Sequence, residues 1–225
     1  MCNLYSNTMP QDAMRALFAV DAANDHLGNA EPLTAIFPKD TAPIVAIGKD
    51  DARQLRTAHW GFVLPQRSKR TGQPVEPKTI NSVPDDRFRT TGFWQMAFEC
   101  RRCLIPATSF CKTNGRAPTT YYWFGLSGDG PRQPFAFAGL FSYFKGPYGK
   151  KMWDGLTSTI VTTTTNELVR PVHSDRMPVI LRPESYETWL TGDPDEAFDL
   201  IEPFAAEDML VHQSGEGLKS DHGGI

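Results

Sequence analysis

The second residue of the chain is a cysteine, and this position gives it chemistry that an internal cysteine lacks. Once Met1 is removed, Cys2 carries an α-amine with a pKa of about 8 and a thiol with a pKa of about 8.5. An aldehyde can condense with the amine to an imine, and the thiol can then close a five-membered thiazolidine ring. Two other interpretations stay open: the thiol alone attacks a carbonyl with the amine as base, or Cys2 packs as a small hydrophobe.

Two further side chains are candidates for catalysis, and each also has a purely structural interpretation. His173 lies in "VRPVHSDRMPVIL" next to Asp175 and Arg176, where neighbouring charges can tune its pKa for proton transfer. It can equally be a structural histidine beside a strand. Asn81 in "TINSVPDD" is either a turn residue or an amide that positions a carbonyl or a phosphate.

The other three cysteines do not form a recognisable metal or redox motif. Cys100 and Cys103 make one CxxC pair, and Cys111 follows eight residues later. A structural zinc needs a fourth ligand at suitable spacing, and a thioredoxin-like pair needs a βαβ context. Neither pattern is present, so we predict buried thiols, no metal and no cofactor.

Charge is distributed unevenly along the chain. Residues 53–116 contain twelve Lys or Arg and four Asp or Glu, whereas residues 183–208 contain nine acidic residues and no Lys or Arg. A basic middle segment predicts a face that binds a polyanion, although the arginines could instead be scattered over several faces. The aromatic residues interleaved with this basic segment are typical either of a surface that stacks the bases of single-stranded nucleic acid or of a hydrophobic core. The candidate nucleic-acid contacts are Trp60, Arg67, Lys69, Arg70, Arg87 and Arg89.

Composition limits the class of protein. Apolar residues make up 40% and charged residues 22% of the chain, which is typical of a globular protein. Because there is no run of about 18 apolar residues and no secretory signal, we expect a cytoplasmic protein without a membrane partner.

The hydrophobic pattern predicts many short strands and a few helices. Helices are expected over 10–23, around "TTGFWQMAFECR" with Phe93, Met96 and Ala97 on the inner face, at "NELVRPV", and in two acidic segments after residue 182. Residues 65–79, with three prolines and several basic residues, predict a mobile loop. We expect one α+β domain over 1–225, with a mixed, barrel-like sheet, flanking helices and a loosely ordered tail at 210–225.

In addition, a set of motifs covers nearly the whole chain in order. They are Met1-Cys2, "HWGFVLP" at 59–65, "NSV" at 81–83, "RRCLIPATSF" at 101–110, "FAFAGLF" at 135–141 and "NELVRPVHSDRMPVIL" at 166–181. Together they resemble the SRAP (SOS-response-associated peptidase) family of abasic-site processing proteins.

The resemblance implies a reaction and its residues. It implies a monomer that recognises abasic sites in single-stranded DNA, removes Met1 by autoproteolysis, and cross-links Cys2 to the sugar aldehyde as a thiazolidine, with lyase-like activity. Asn81 would hold the N-terminal residue and the sugar, His173 would transfer protons, and Arg176 would contact phosphate. The protein would associate with the nucleoid when bound to damaged DNA.

The chain departs from the family pattern at two positions that matter for this reaction. "PATSFCK" places Lys112 where the family has a catalytic Glu, which predicts an altered or impaired reaction. Val83 stands at the arginine of the family's Asn-x-Arg, and an alternative register places Thr79 at the Asn. One alternative to the cross-linking reaction is a module that binds single-stranded DNA without chemistry. Another is an N-terminal-nucleophile amidohydrolase, a class that also uses a nucleophile at the chain start and needs an αββα sandwich.

Overall fold

The segment "FAFAGLF" alternates large and small apolar side chains, a pattern that suits a strand covered on both faces of its sheet. The computed structural model describes residues 3–88, 90–148, 151–173 and 175–223. In it a ring of strands closes because the strand Lys151–Thr163 pairs with both Arg53–Trp60 and Phe135–Tyr148. The ring consists of β3 (Thr41–Ile47), β4 (Arg53–Trp60), β8 (Arg102–Ala107), β11 (Phe135–Tyr148) and β12 (Lys151–Thr163).

The barrel is mixed, because β4 and β12 run parallel while the other neighbours in the ring are antiparallel. Short strands extend it at one side. They are β7 (Ser82–Pro84), which lies parallel to β12, β13 (Met177–Pro178) and β14 (Ile180–Leu181). The prediction of an α+β fold with a mixed, barrel-like sheet and a few flanking helices is therefore confirmed.

A second sheet contains the first strand of the chain in its interior. Its order is β2 (Leu33–Ile36), β1 (Tyr5–Asn7), β9 (Ser109–Thr113), β10 (Thr120–Leu126) and β15 (Met209–Glu216). All its pairings are antiparallel. Because β1 has a neighbour on each side, the segment that leads into it is fixed relative to β9.

Both faces of β8 and of the first half of β11 are buried. Along β11, Phe135 and Phe137 pack into one hydrophobic cluster with Tyr5 and Trp60, while Ala136 and Ala138 belong to another. The second cluster also contains the inner faces of the helices. These are α1 (Gln11–Phe18), α2 (Gly92–Cys100), α3 (Tyr186–Thr191) and α4 (Pro194–Asp199). None of the described helices is both long and apolar enough to cross a membrane.

Three of the predicted helices differ from what is observed. The first ends at Phe18 rather than near residue 23, because Ala19 adopts a left-handed conformation that caps it. In α2 the buried residues include Trp94, Ala97 and Phe98, whereas Phe93 and Met96 are exposed. The predicted inner face of α2 was therefore wrong at those two residues. The segment "NELVRPV" forms hydrogen-bonded turns and no regular helix.

Two segments that were predicted to be irregular are ordered. Residues 65–79 lie largely in a hairpin of β5 (Phe62–Arg67) and β6 (Pro74–Ile80), because the prolines occupy a two-stranded ribbon with free edges. The C-terminal residues form β15 and then a fixed segment in which Asp221 is buried. Over the described residues, the segment 65–79 is therefore mostly strand rather than irregular loop, and the segment from 210 onward begins with a strand.

Candidate functional site

A polar cavity of about 330 Å³ lies beside the start of β1. Its wall is made by residues just before β1 and just after β2, by the last three residues of β9, by β10 and by the turn after β12. The lining residues are Asn3, Leu4, Phe37, Cys111, Lys112, Thr113, Tyr121 and His173. Asn3 follows Cys2 in the chain, whereas Cys2 itself lies outside the described residues. The sheet therefore brings Lys112 and His173, two predicted site residues, to one cavity.

Lys112 is buried in the wall of this cavity, with only 2% of its surface exposed. Its strand β9 lies between β1 and β10, and Lys112 itself pairs with Tyr122 in the ladder. The ammonium Nζ donates a hydrogen bond of 2.6 Å to the backbone carbonyl of Arg176. Since a buried ammonium needs hydrogen-bond acceptors, this carbonyl stabilises the lysine at a position where the sequence comparison predicted a carboxylate.

His173 contributes an imidazole to the same cavity. Burial and then the positive charge of Lys112 lower the pKa of His173 from its usual 6.5. Its ring Nδ1 is buried and makes no hydrogen bond within the described part of the chain. A neutral imidazole with an unused nitrogen can accept or donate a proton at neutral pH.

Asn81 reaches Asn3, near the start of the chain, from the bend between β6 and β7. Its Nδ2 donates a 2.8 Å hydrogen bond to Oδ1 of Asn3, and its backbone carbonyl accepts hydrogen bonds from Trp60 Nε1 and from the backbone of Ile160. Asn81 is thus held by the barrel core and holds the residue after Cys2. Thr79, its alternative in the other register, instead bonds through its hydroxyl to Tyr148.

Comparison with known proteins identifies the family. The model of the SOS response associated peptidase (SRAP) family matches residues 1–218. The chain belongs to the SRAP family. It is similar to the abasic site processing protein YoqW of Bacillus subtilis, with 32% identity over 83% of this chain and 80% of YoqW. YoaM of the same organism, also named an abasic site processing protein, is 29% identical over 87% of this chain and 88% of its own length.

Solved structures share the SRAP fold seen here. A protein from Bordetella bronchiseptica has a TM-score of 0.72 at 20% identity and covers 96% of this chain and 99% of its own. A protein from Bacteroides thetaiotaomicron has a TM-score of 0.70 at 19% identity and covers 96% and 91%. At these identities the likeness concerns the fold.

Arg176 of this SRAP chain is engaged in ion pairs. Its guanidinium bonds to Asp85 at 2.6 Å, approaches Asp86 at 3.7 Å and also donates to the carbonyl of Thr162. The side chain is one-quarter exposed. Any phosphate contact of the Arg176 guanidinium would therefore compete with two carboxylates. At the cavity, Arg176 contributes its backbone carbonyl, which accepts the hydrogen bond from Lys112.

The predicted polyanion contacts fall into separate groups. Arg67, Lys69 and Arg70 are exposed on the hairpin of β5 and β6, and Arg87 is exposed after β7. Arg89 lies outside the described residues. Other arginines of the basic segment are not available: Arg102 is buried and bonds three backbone carbonyls, and Arg53 pairs with Glu187.

Trp60 was predicted as a base-stacking residue, and this prediction was wrong. Its side chain is 1% exposed and packs edge-on against Tyr5 at 4.9 Å. Alternation in β4 turns the indole into the core, where its Nε1 holds Asn81. Its contribution to the site is therefore to position Asn81.

The described cysteines differ in exposure, and Cys100 and Cys103 are free thiols. Cys100 is exposed, while Cys103 and Cys111 are buried, and burial strongly raises the pKa of Cys103. No cluster of three or more His, Cys, Asp or Glu that could hold a metal occurs in the described part of the chain.

Sequence reasoning did not select Asn3 or Thr113, which line the cavity. Adjacency to Cys2 was a usable signal for Asn3. Thr113 had none, because its place on the wall depends on the pairing of β9 with β10, where it lies opposite Tyr121.

Proposed function

We propose that this protein processes abasic sites in single-stranded DNA, and that Cys2, after loss of Met1, forms a thiazolidine cross-link with the ring-opened sugar. The observation that carries the proposal is the convergence of Asn81 and His173 on the cavity at Asn3, the residue that follows Cys2. Family membership and the names of YoqW and YoaM support the same substrate.

The chemistry follows from an amine and a thiol on one residue. The α-amine attacks the C1′ aldehyde, water leaves to give an imine, and the thiol adds to the imine carbon to close the ring. The neutral imidazole of His173 relays the protons that these steps require. The amide of Asn81 orients the chain start through Asn3, which favours attack by reducing its freedom.

Exposed basic residues of the hairpin would hold the DNA backbone. Arg67, Lys69, Arg70 and Arg87 lie at the surface, and phosphate contacts by such side chains release counterions. Binding to an undamaged oligonucleotide should therefore weaken steeply as salt rises. Replacement of Arg67, Lys69 and Arg70 together by alanine should make the affinity for DNA depend less steeply on salt concentration.

A cross-linking assay tests the proposal. The purified protein is incubated with a single-stranded oligonucleotide that contains one abasic site, and a heat-stable shifted band is expected on a denaturing gel. Cys2→Ala should abolish the thiazolidine band, and an oligonucleotide with a tetrahydrofuran analogue, which has no aldehyde, should bind without cross-linking. A full-yield band with Cys2→Ala, in the absence of a reductant, would overturn the mechanism.

A second candidate is a module that binds single-stranded DNA without chemistry, and Lys112 at the position of the family Glu favours it. Intact mass distinguishes the two, because retained Met1 would block the amine of Cys2. The closed barrel gives no support to an N-terminal-nucleophile amidohydrolase, which needs an αββα sandwich.

A further inference from the structure

We propose that the Lys112 amine is a second imine-forming nucleophile, able to capture the aldehyde of an abasic site independently of Cys2. This inference rests on the proposed function, because the aldehyde is the one that function supplies. Its basis is geometric: a primary amine on a rigid strand, in the wall of a cavity of about 330 Å³ that also contains an imidazole. Lysines buried in protein sites are commonly recruited for imine chemistry.

The position of the amine is fixed by the fold. Lys112 is 2% exposed, and β9 is held on both sides by β1 and β10. The hydrogen bond from Nζ to the Arg176 carbonyl ties the end of the side chain to the turn that carries His173. A substrate carbon that enters the cavity therefore meets an amine with little freedom to move away, which lowers the entropic cost of attack.

A possible base for the amine, the imidazole of His173, lines the same cavity. None of the described residues that line the cavity is Asp or Glu. The nearby His173 imidazole is kept neutral by burial and then by the charge of Lys112, since both lower its pKa, and it can take the proton.

The reaction balances without an oxidant or a metal. The imidazole accepts a proton from the ammonium, and the nitrogen lone pair attacks C1′ while the carbonyl electron pair moves to oxygen. That oxygen takes a proton to give a carbinolamine, which then expels water as the C=N bond forms. Hydrolysis reverses each step, so the adduct is transient unless hydride reduces the iminium to a stable secondary amine.

Reductive trapping with cyanoborohydride tests this assignment in a Cys2→Ala background, where no thiazolidine forms. The N-terminal amine of that variant can also be trapped, so the attachment site is read by tryptic mass mapping. An adduct on Lys112 blocks cleavage after this residue and yields the DNA-bearing peptide Cys103–Arg116 in place of Cys103–Lys112. We expect this longer peptide.

Two variants make the result decisive. In Cys2→Ala/Lys112→Arg the guanidinium keeps the charge and a donor for the Arg176 carbonyl but forms no imine, so the DNA trapped on peptides other than the N-terminal one should fall at least tenfold. In Cys2→Ala/Lys49→Met, which removes an exposed lysine, it should persist. Trapping only at the N-terminus in every variant would overturn the role of Lys112.

Failure of this inference and failure of the proposed function give different results. If wild-type protein cross-links through Cys2 without a reductant but no Lys112 peptide forms, only the present inference is wrong. If Lys112 is trapped but wild-type protein gives no Cys2 thiazolidine, the proposed thiazolidine mechanism is wrong and Lys112 is the capturing amine. If wild-type protein neither binds nor cross-links the abasic oligonucleotide, both are wrong.

Discussion

Asn81 and Thr79 are the two residues that the family motif could not separate, and their hydrogen bonds do separate them. The Asn81 amide bonds to Asn3 at the cavity, while the Thr79 hydroxyl bonds to Tyr148. If the Asn3 contact orients the reacting amine, only one of the two side chains matters for rate.

Replacement of Asn81 by alanine should therefore slow cross-linking by roughly fivefold to tenfold, since one hydrogen bond is worth about 1 to 1.5 kcal/mol. Thr79→Ala is the matched control and should leave the rate close to that of wild type. The measurement is the single-turnover rate on an abasic oligonucleotide. Equal losses in both variants would show that the assignment of Asn81 is incorrect.

At the scale of elements, the bend between β4 and β5 places the hairpin and Asn81. Gly61 at this bend has φ +145°, and a Cβ there would lie 2.3 Å from Cγ2 of Thr79. A side chain at position 61 would therefore combine backbone strain with a clash against a short, stiff neighbour.

Gly61→Ala should lower the free energy of unfolding by about 1 to 3 kcal/mol, through strain and overpacking. Adding Thr79→Ser, which removes Cγ2, should recover the part of the unfolding free energy lost to the clash. The part lost to the positive φ at position 61 should remain. Chemical denaturation of the three proteins measures this. Full recovery would mean that backbone conformation contributes nothing.

The C-terminal segment is held by a buried ion pair. Arg132 binds Asp221 with two hydrogen bonds of 3.0 Å, and Ser109 of β9 donates to the same carboxylate at 2.6 Å. Burial acts to raise the pKa of Asp221, but the hydrogen bonds from Arg132 and Ser109 outweigh it and lower the pKa below 3.8.

Asp221→Ala should cost about 3 to 5 kcal/mol of unfolding free energy, because it leaves Arg132 without its partner. Asp154→Ala, which breaks the exposed pair with Lys145, should be indistinguishable from wild type. Thermal and denaturant unfolding report both changes. Comparable losses in the two variants would contradict the importance of burial.

The sequence predicted where strands and helices lie better than it predicted which face of each one is buried. Strands such as β3, β8 and β11 follow from their apolar runs, and the barrel class from the absence of βαβ alternation. The hairpin over 65–79 and the strand β15 were missed because their stability comes from distant partners. The orientations of Trp60 and α2 depend on which face the core covers, and local composition does not specify that.

The candidate site, too, could be predicted from the sequence only in part. Cys2, Asn81, Lys112 and His173 were selected from the sequence by chemistry and motif, and the last two line one cavity while Asn81 reaches it through Asn3. The Arg176 carbonyl that holds Lys112 was not predictable, because a backbone acceptor leaves no signature in residue type.

At the scale of the whole molecule, three histidines make the fold sensitive to mild acid. Burial lowers the pKa of His59, His173 and His212 from 6.5, with the nearby cations Lys39, Lys112 and Arg132 as the respective second causes. Their folded forms bind a proton less readily than the unfolded chain does. The stability they contribute is therefore complete above pH 6.5 and is lost as pH falls through the lowered values.

The melting temperature should accordingly fall when pH is reduced from 7.5 to 5. Because the pKa of Asp25 and the pKa of Asp221 are lowered from an ordinary value of 3.8, these carboxyls titrate below this range, and the loss should come mainly from histidine. Titration of the histidine ring signals by NMR checks the cause. Ring signals of His59, His173 and His212 that titrate at or above pH 6.5 would refute it.

The interior position of β1 also determines when, during synthesis of the chain, this strand can be held on both sides. Ser6 bonds to Thr108, a residue 102 positions later, so the neighbour that fixes this strand emerges from the ribosome roughly 5 to 20 s after it. An isolated pairing with β2 would be only marginally stable meanwhile. The beginning of the nascent chain thus passes through a period in which a processing enzyme can reach it, and the rate of translation sets the length of that period.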